Sequence, residues 1–276
     1  MRHVLSTHLF VNHRLTVALL DRISKAGIGE IEVFCARQHL DYHNRAQTEE
    51  LAHWFRDAEL KLHSIHAPMY NDTIWGRSGP HAVVSITETE KVRRIAATDE
   101  IKRAIEVAEL VPFRYLIQHL GSGGETYDDR KMEAAFTALE ELCIFARHRG
   151  VEVLLENIPN ELSTPERLVY FVNQTHLPVN FVFDTGHAHI GGGVKPAWER
   201  LRDRVRSTHV HDNDGVNDIH LFPQDGRAGG IDWRECMGLL RPGEAAYPLL
   251  LELREVAGLE HPLDEARRVF DWLESL

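Results

Sequence analysis

The sequence contains little cysteine, and the cysteines that it has lie far apart. Cys35, Cys143 and Cys236 are the only three in 276 residues. An odd number of widely spaced thiols gives no disulfide framework, so a reducing environment is the simplest setting. This pattern predicts a cytoplasmic protein without structural disulfides.

A long apolar run is also absent. No stretch approaches the ~18 consecutive apolar residues that a membrane-spanning helix needs. The first ten residues, MRHVLSTHLF, do not show the charged-then-apolar order of a signal peptide and are typical of a β-strand. We therefore expect no association with a membrane.

Positive charge is in short supply. The chain has 31 Lys and Arg against 42 Asp and Glu, which gives a formal net charge of −11. Proteins that bind nucleic acid normally present clustered Lys and Arg, so a broad nucleic-acid-binding face is not expected, although a small basic patch is compatible with this composition. Histidine, by contrast, is abundant at 18 residues.

The order of secondary structure is read from alternating β-rich and amphipathic segments. Predicted strands cover residues 3–9, 30–35, 61–66, 114–119, 151–156, 180–184, 206–211 and 247–252. Predicted helices cover residues 14–26, 47–58, 89–110, 128–149, 164–175, 196–203, 232–241 and 261–275. Regular strand–helix alternation over a chain of this length predicts a single (β/α)8 barrel, which typically needs ~250 residues. No change in composition marks a second domain, so residues 1–276 are expected to form a single domain.

Six consecutive predicted strands end in carboxylate or imidazole side chains. These residues are His66, His119, Glu156, Asp184, the pair His209 and His211, and Glu252. The carboxyl ends of barrel strands meet at one rim, where the active sites of this fold lie. One polar residue at a strand end usually only begins a loop. Six in succession, all of types that bind metals, favour a shared site.

The acids at this rim need a partner. Glu156 and Glu252 would repel each other across the barrel mouth unless a cation lay between them. With Asp184 and one histidine of strand seven, they would offer three carboxylates and one imidazole. This set suits Mn²⁺, Mg²⁺, Co²⁺ or Zn²⁺, and the lack of cysteine argues against a purely structural zinc site. The alternative is that the acids pair with arginine, for example Arg206 or Arg254.

A second group of ligand types follows strand seven. Asp218 and His220 form an Asp-x-His pair within the loop HVHDNDGVNDIHLFPQDGRAGGIDW. Acids in such loops commonly support turns, so the pair by itself is a weak signal. Together with His187 of the stretch FDTGHAHI, however, it would complete a second metal site.

These motifs together resemble the xylose-isomerase-like, apurinic-endonuclease-type-2 superfamily of TIM barrels. The likeness runs through almost the whole chain, in the segments IEVF, SIHAP, ENIPN, DTGHAH, HVHDNDG, DIHL and LLLELR. Members include sugar isomerases and epimerases, inosose-metabolising enzymes and endonuclease IV, all of them metal-dependent. The resemblance implies a single metal-binding TIM barrel and leaves the substrate open.

The resemblance also implies the ligands of a common metal site. Matched position by position, they are Glu156, Asp184, His209 and Glu252. The family's strand-seven histidine precedes an acid by three residues, which both His209 and His211 do. The commoner form of the motif favours His209 and leaves His211 beside the ligands or in contact with substrate.

Further metal positions of the superfamily are matched as well. They correspond to His66 and His119, with Glu156 bridging, and to His187, Asp218 and His220. One divalent ion is expected and up to three are allowed, because single-metal sugar isomerases of this superfamily often keep such residues to bind substrate.

The function that this resemblance implies is a sugar isomerase or epimerase acting on a sugar, sugar phosphate or polyol. Glu156 and Glu252, on opposite sides of the substrate, would transfer a proton as general base and acid, while the metal stabilises an enediolate. The residues expected to contact substrate are His8, Trp75, His187, His211 and Arg254. A homo-oligomer is compatible with the sequence.

Two other functions are alternatives. The ligand inventory also allows a trinuclear phosphodiester hydrolase of the endonuclease IV kind. The acidic chain, the lack of an evident Lys and Arg stripe and the segment HVHDND argue against it. A non-catalytic barrel is the third possibility, and the intact set of carboxylates argues against that.

Overall fold

Eight parallel strands form the centre of the protein. The computed structural model describes residues 1–74, 82–241 and 247–276. The strands lie in the order β7-β6-β5-β4-β3-β2-β1-β8, and every neighbouring pair is parallel. A parallel bridge between Val210 and Leu251 joins the last two edges. The sheet therefore closes into the predicted (β/α)8 barrel.

The strands and helices lie close to their predicted positions. The strands are β1 (His3–Ser6), β2 (Glu30–Phe34), β3 (Lys61–His66), β4 (Tyr115–Gln118), β5 (Glu152–Glu156), β6 (Asn180–Asp184), β7 (Val205–His209) and β8 (Leu249–Leu251). The α-helices of the described residues are α1 (Val17–Lys25), α2 (Arg45–Asp57), α3 (Lys91–Glu106), α4 (Asp129–Arg147), α5 (Pro165–Asn173), α6 (Thr185–Ile190), α7 (Val194–Leu201), α8 (Trp233–Leu240) and α9 (Pro262–Ser275).

Local hydrogen bonds account for two of the differences from the predicted boundaries. The first strand stops at Ser6 instead of residue 9, because the Ser6 side chain caps a 3₁₀ turn over Thr7–Phe10. Helix α1 begins later than predicted, at Val17, because Thr16 accepts a hydrogen bond from the Leu19 amide as its N-cap. Helix α6 is an addition that apolar periodicity did not indicate.

The helices cover the outside of the barrel. Most of the buried apolar side chains form one continuous core between helices and strands, whereas Tyr115, Ile117, Leu154 and Val182 form a separate small cluster. Side chains alternate between the two faces of a strand, so this cluster identifies the interior-facing positions of β4, β5 and β6. No helix among the described residues is long and apolar enough to cross a bilayer.

Candidate metal centre

The alternation of side chains along the strands directs the predicted acids into the barrel mouth. Glu156 lies two residues after the interior-facing Leu154, and Asp184 lies two after Val182. Both carboxylates therefore continue the interior face at the carboxyl ends of their strands. Glu156, Asp184 and Glu252 are all at most 2% exposed, which requires strong partners for their charge.

His209 is at the centre of these three acids. Its Nδ1 atom lies 3.1 Å from Glu156 Oε1, 3.2 Å from Glu252 Oε2 and 3.8 Å from Asp184 Oδ2. One ligand atom from each of the four residues lies within 4.8 Å of all the others. The primary cluster, as we call Glu156, Asp184, His209 and Glu252, has the spacing of a mononuclear metal site.

A second cluster shares Glu156. The Nε2 atoms of His66 and His119 lie 3.2 Å apart, and they are 3.7 and 3.0 Å from Glu156 Oε2. His66 Nδ1 is 2.9 Å from the carbonyl oxygen of Ala67, so this nitrogen donates and Nε2 is the one turned to the cluster. Two imidazoles and one carboxylate oxygen thus converge on the side of Glu156 away from the primary cluster.

A third cluster contains His187, Asp218 and His220, as predicted, and adds His211. Asp218 lies 3.1 Å from His187 Nε2 and 3.2 Å from His220 Nε2. The His211 and His220 rings stack with centroids 3.8 Å apart. His211 Nε2 is also 3.1 Å from Asp184, so this residue connects the third cluster to the primary one.

His220 is also the one residue other than glycine with a positive φ, 44°, in the described parts of the chain. Its Nδ1 lies 3.0 Å from the carbonyl oxygen of Glu252, which leaves Nε2 to face Asp218. A left-handed conformation costs a non-glycine residue on the order of 1–3 kcal/mol, and such strain is concentrated at functional sites.

The stretch FDTGHAHI positions Asp184 through its own backbone. Asp184 is the N-cap of α6, and Oδ1 accepts a 2.6 Å hydrogen bond from the His187 amide. Asn157, the residue after Glu156, donates to the Asp184 carbonyl and accepts from its amide, both at 2.9 Å. The ends of β5 and β6 are therefore fixed relative to each other.

Gly186 permits the close packing of α6 against strand seven. A Cβ atom at this position would lie 2.1 Å from Cε1 of His211 and 2.5 Å from its Nδ1. Only glycine leaves room for the His211 ring where it meets Asp184. The glycine of FDTGHAHI is thus a steric requirement of the third cluster.

The three clusters compensate charge mutually. Burial alone would raise the pKa of Glu156, but His209 and His119 outweigh it and hold this pKa well below its usual value. Burial likewise opposes protonation of His209, yet Glu252, Glu32 and Glu156 hold its pKa well above the usual value. Buried acids and protonated imidazoles therefore stabilise one another.

The donor set fits a divalent cation. The primary cluster offers three carboxylates and one imidazole, a combination suited to Mn²⁺, Mg²⁺, Co²⁺ or Zn²⁺. In the described residues, every ion pair of its acids is with a histidine. Arg254 is exposed, and Arg206 donates to the carbonyl of Val205. Neither arginine therefore neutralises the acids of the primary cluster, which was the alternative that the sequence left open.

A cavity of about 220 Å³ opens above the clusters. Its walls include the predicted residues His8, His66, His119, Glu156, His187, Asp218, His220 and Glu252, together with Phe34, Met69, Tyr70 and Gln118. Arg254 does not line it, although its amide donates to the His220 carbonyl. Trp75, predicted to cover the substrate, lies outside the described residues. Asp184, His209 and His211 are fully buried and contact the wall residues His187, Glu156 and His220.

Sequence reasoning missed Glu32. This acid lies in the middle of β2, is fully buried, and has Oε2 3.2 Å from His209 Nε2. The ligand pattern read from the sequence lies at the strand ends, whereas Glu32 precedes the end of β2 by two residues. An acid within the apolar run EIEVF was the available signal.

The comparisons with known proteins agree with this architecture. The family model described as xylose isomerase-like TIM barrel matches residues 20–276. The uncharacterized protein MJ1311 of Methanocaldococcus jannaschii is 27% identical over 84% of this chain and 78% of its own length. The uncharacterized protein y4fM of Sinorhizobium fredii is 27% identical over 64% of this chain, which spans only 61% of y4fM.

Solved structures share the fold over the full chain. A D-tagatose 3-epimerase-like protein has a TM-score of 0.77 at 21% identity, covering 100% of this chain and 96% of its own. The 3-keto-D-glucoside 4-epimerase YcjR of E. coli has a TM-score of 0.76 at 17% identity, covering 100% of both chains. A zinc-bound IOLI protein has a TM-score of 0.73 at 17% identity, covering 99% of this chain and 96% of its own.

Proposed function

The chain belongs to the xylose isomerase-like TIM barrel family, and from that premise we propose that it is a divalent-metal-dependent sugar isomerase or epimerase. The observation that carries the proposal is the primary cluster, in which three buried carboxylates surround one imidazole nitrogen at the barrel mouth. The epimerases among the similar structures and the zinc in one of them support the same conclusion.

Four residues would hold the catalytic cation: Glu156, Asp184, His209 and Glu252. When bound, the cation would supply electrophilic stabilisation of negative charge on the substrate oxygens. His66, His119, His187, Asp218 and His220 then have two possible roles, since they can hydrogen-bond substrate hydroxyl groups or bind further ions.

Proton transfer is the task of the two glutamates. Glu156 and Glu252 approach His209 Nδ1 from the ends of β5 and β8, and both border the cavity. One carboxylate would remove the proton from the carbon next to the carbonyl, and the other would return a proton to the enediolate. Returning it to the neighbouring carbon gives isomerisation, and returning it to the opposite face of the same carbon gives epimerisation.

The cavity fits a small polar substrate. Its volume is about 220 Å³, and its walls combine imidazole, carboxylate and amide groups with the apolar side chains of Phe34 and Met69. His8, whose pKa burial lowers to about 3, is a neutral imidazole at ordinary pH. We therefore assign it to hydrogen bonding with a substrate hydroxyl and not to ion pairing.

The experiment that tests this function is exchange of substrate hydrogen with solvent. The Mn²⁺-, Co²⁺- or Zn²⁺-loaded protein is incubated in deuterated water with a panel of ketoses, aldoses and their phosphates. Proton NMR would reveal loss of the C–H signal at the reacting carbon and formation of the isomer or epimer. Absence of exchange with the whole panel under every metal would contradict the proposal.

A phosphodiester hydrolase is the second candidate, because three clusters could hold three ions. Cleavage of DNA containing an abasic site, compared with intact DNA of the same sequence, tests it directly. Three ions per chain together with cleavage would favour the hydrolase, whereas one or two ions and no cleavage would favour the isomerase or epimerase.

A further inference from the structure

We infer that Glu32 is a positioning residue that orients His209 as a metal ligand. The inference rests on the proposed metal centre, because it concerns how one of the four proposed ligands is directed. Glu32 belongs neither to the three clusters nor to the cavity wall. It lies beneath them, inside the barrel.

Three strands cooperate to hold the Glu32 carboxylate. In the sheet register, Glu32 on β2 is paired with Ser6 on β1 and with Ser64 on β3. The Ser6 hydroxyl donates to Oε1 at 3.1 Å, and the Ser64 hydroxyl donates to Oε2 at 2.8 Å. All three residues are fully buried. This acid therefore has a fixed orientation before His209 approaches it.

His209 is placed between two groups of acids. Its Nε2 atom is 3.2 Å from Glu32 Oε2, and its Nδ1 atom is 3.1 Å from Glu156 Oε1 on the opposite side of the ring. The surrounding acids favour a protonated His209 when no cation is bound, but as a metal ligand the ring is neutral and carries one N–H, and that hydrogen goes where an acceptor is fixed. Glu32 accepts it, so the lone pair of Nδ1 is directed to the primary cluster.

The other histidines of the site are directed differently. His66 and His220 each place Nδ1 close to a backbone carbonyl, at 2.9 and 3.0 Å, and present Nε2 instead. Of these three histidines, only His209 has a carboxylate within hydrogen-bond distance of the ring nitrogen that faces away from its cluster. A carboxylate–imidazole–metal arrangement fixes the ring and increases the basicity of the ligand nitrogen, and its loss typically weakens metal binding 10–100-fold.

The same strand supplies a matched control. Glu30, two residues earlier on β2, lies 3.1 Å from Nδ1 of the buried His63. Neither residue belongs to a metal cluster. Glu30→Gln therefore perturbs an acid–histidine pair in the same strand, with a buried histidine and a partly exposed acid, without touching the proposed ligands.

The test measures Zn²⁺ affinity by calorimetry in competition with a chelator. We expect Glu32→Leu, which removes the acceptor, to raise the Kd by 10–100-fold. Glu32→Gln keeps an acceptor and should raise it less, and Glu30→Gln should leave it within about threefold of the wild-type value. Thermal unfolding of the metal-free variants reports any general loss of fold separately.

Histidine labelled with ¹⁵N provides a readout that a purely structural role would not move. In long-range ¹H–¹⁵N spectra of the Zn²⁺-loaded protein, His209 should carry its hydrogen on Nε2, and Glu32→Gln should shift that signal. A hydrogen on Nδ1, or an equal loss of affinity in Glu30→Gln, would overturn the role of Glu32. Failure of the wild-type protein to bind Zn²⁺ would instead overturn the metal centre itself.

Discussion

His119 lies at the end of β4 with Nε2 3.0 Å from Oε2 of Glu156. The other oxygen of the same carboxylate is 3.1 Å from His209, so Glu156 is shared between two clusters. His119→Gln should therefore leave the most tightly bound ion in place and remove only an ion held with His66. Glu156→Gln should weaken binding at both positions. Metal content per chain after dialysis, measured by mass spectrometry, distinguishes the two results.

Glu252 should be required for proton transfer. Glu252→Gln replaces the carboxylate with an amide, which cannot act as a general acid or base. The expected loss in turnover is about 10²- to 10⁴-fold. The readout is exchange of the substrate C–H with deuterated water. Glu255→Gln is the control, because the Glu255 side chain is 44% exposed and pairs with His13. Full activity of Glu252→Gln would refute the two-glutamate mechanism.

Added metal should stabilise the fold. A cation at about 100 times its Kd raises the free energy of unfolding by about 2.7 kcal/mol, or roughly 5–10 °C in the melting temperature of a chain of this size. Asp184→Asn should abolish most of that increase. Asp203→Asn, whose side chain is 95% exposed, should keep it. A melting temperature insensitive to Mn²⁺, Co²⁺ and Zn²⁺ would favour a non-catalytic barrel.

Gly186→Ala should disturb the site without changing any ligand type. The new Cβ would overlap the His211 ring, at 2.1 Å from Cε1, and displace it from Asp184. We expect weaker metal binding and a destabilisation of about 1–3 kcal/mol, as for other overpacked positions. Gly238→Ala on α8, where a Cβ meets nothing within 4 Å, is the control. Calorimetry and chemical denaturation measure the two effects.

His39 should make the metal-free protein less stable in acid. It is fully buried, Nδ1 faces the His13 carbonyl, and Nε2 has no hydrogen-bond partner. Burial lowers its pKa from 6.5 to about 4. The unfolded chain therefore takes up the proton first, and stability is lost as the pH falls from about 6.5 to 4.

The loss attributable to His39 is on the order of 3 kcal/mol over that window, from ~1.4 kcal/mol per pKa unit. Urea unfolding with chelator present, at several pH values between 4 and 7, should show a shallower decline for His39→Gln than for the wild-type protein. His148→Gln, at an exposed position, should follow the wild-type profile. Parallel declines in all three would exclude the assignment.

The sequence predicted most of the barrel because the relevant signals are local. Strand–helix alternation and turn residues located all eight strands, and the acid or imidazole at the ends of six of them indicated the rim. The same approach missed α6, which begins with the cap at Asp184 and not with an apolar pattern. It also placed the end of β1 three residues too late, because the Ser6 cap decides it.

The sequence by itself determined the fold, through its strand–helix alternation. It also determined the list of candidate ligands, through the residue types at the carboxyl ends of the strands. The family resemblance already grouped these ligands in three sets, but only the tertiary structure decided that His211 lies with His220 and that Arg254 remains outside the cavity. It also decided the partner of His209. Glu32 and His209 are far apart in the sequence, and only closure of the barrel brings β2 and β7 to opposite sides of one interior, within hydrogen-bond distance.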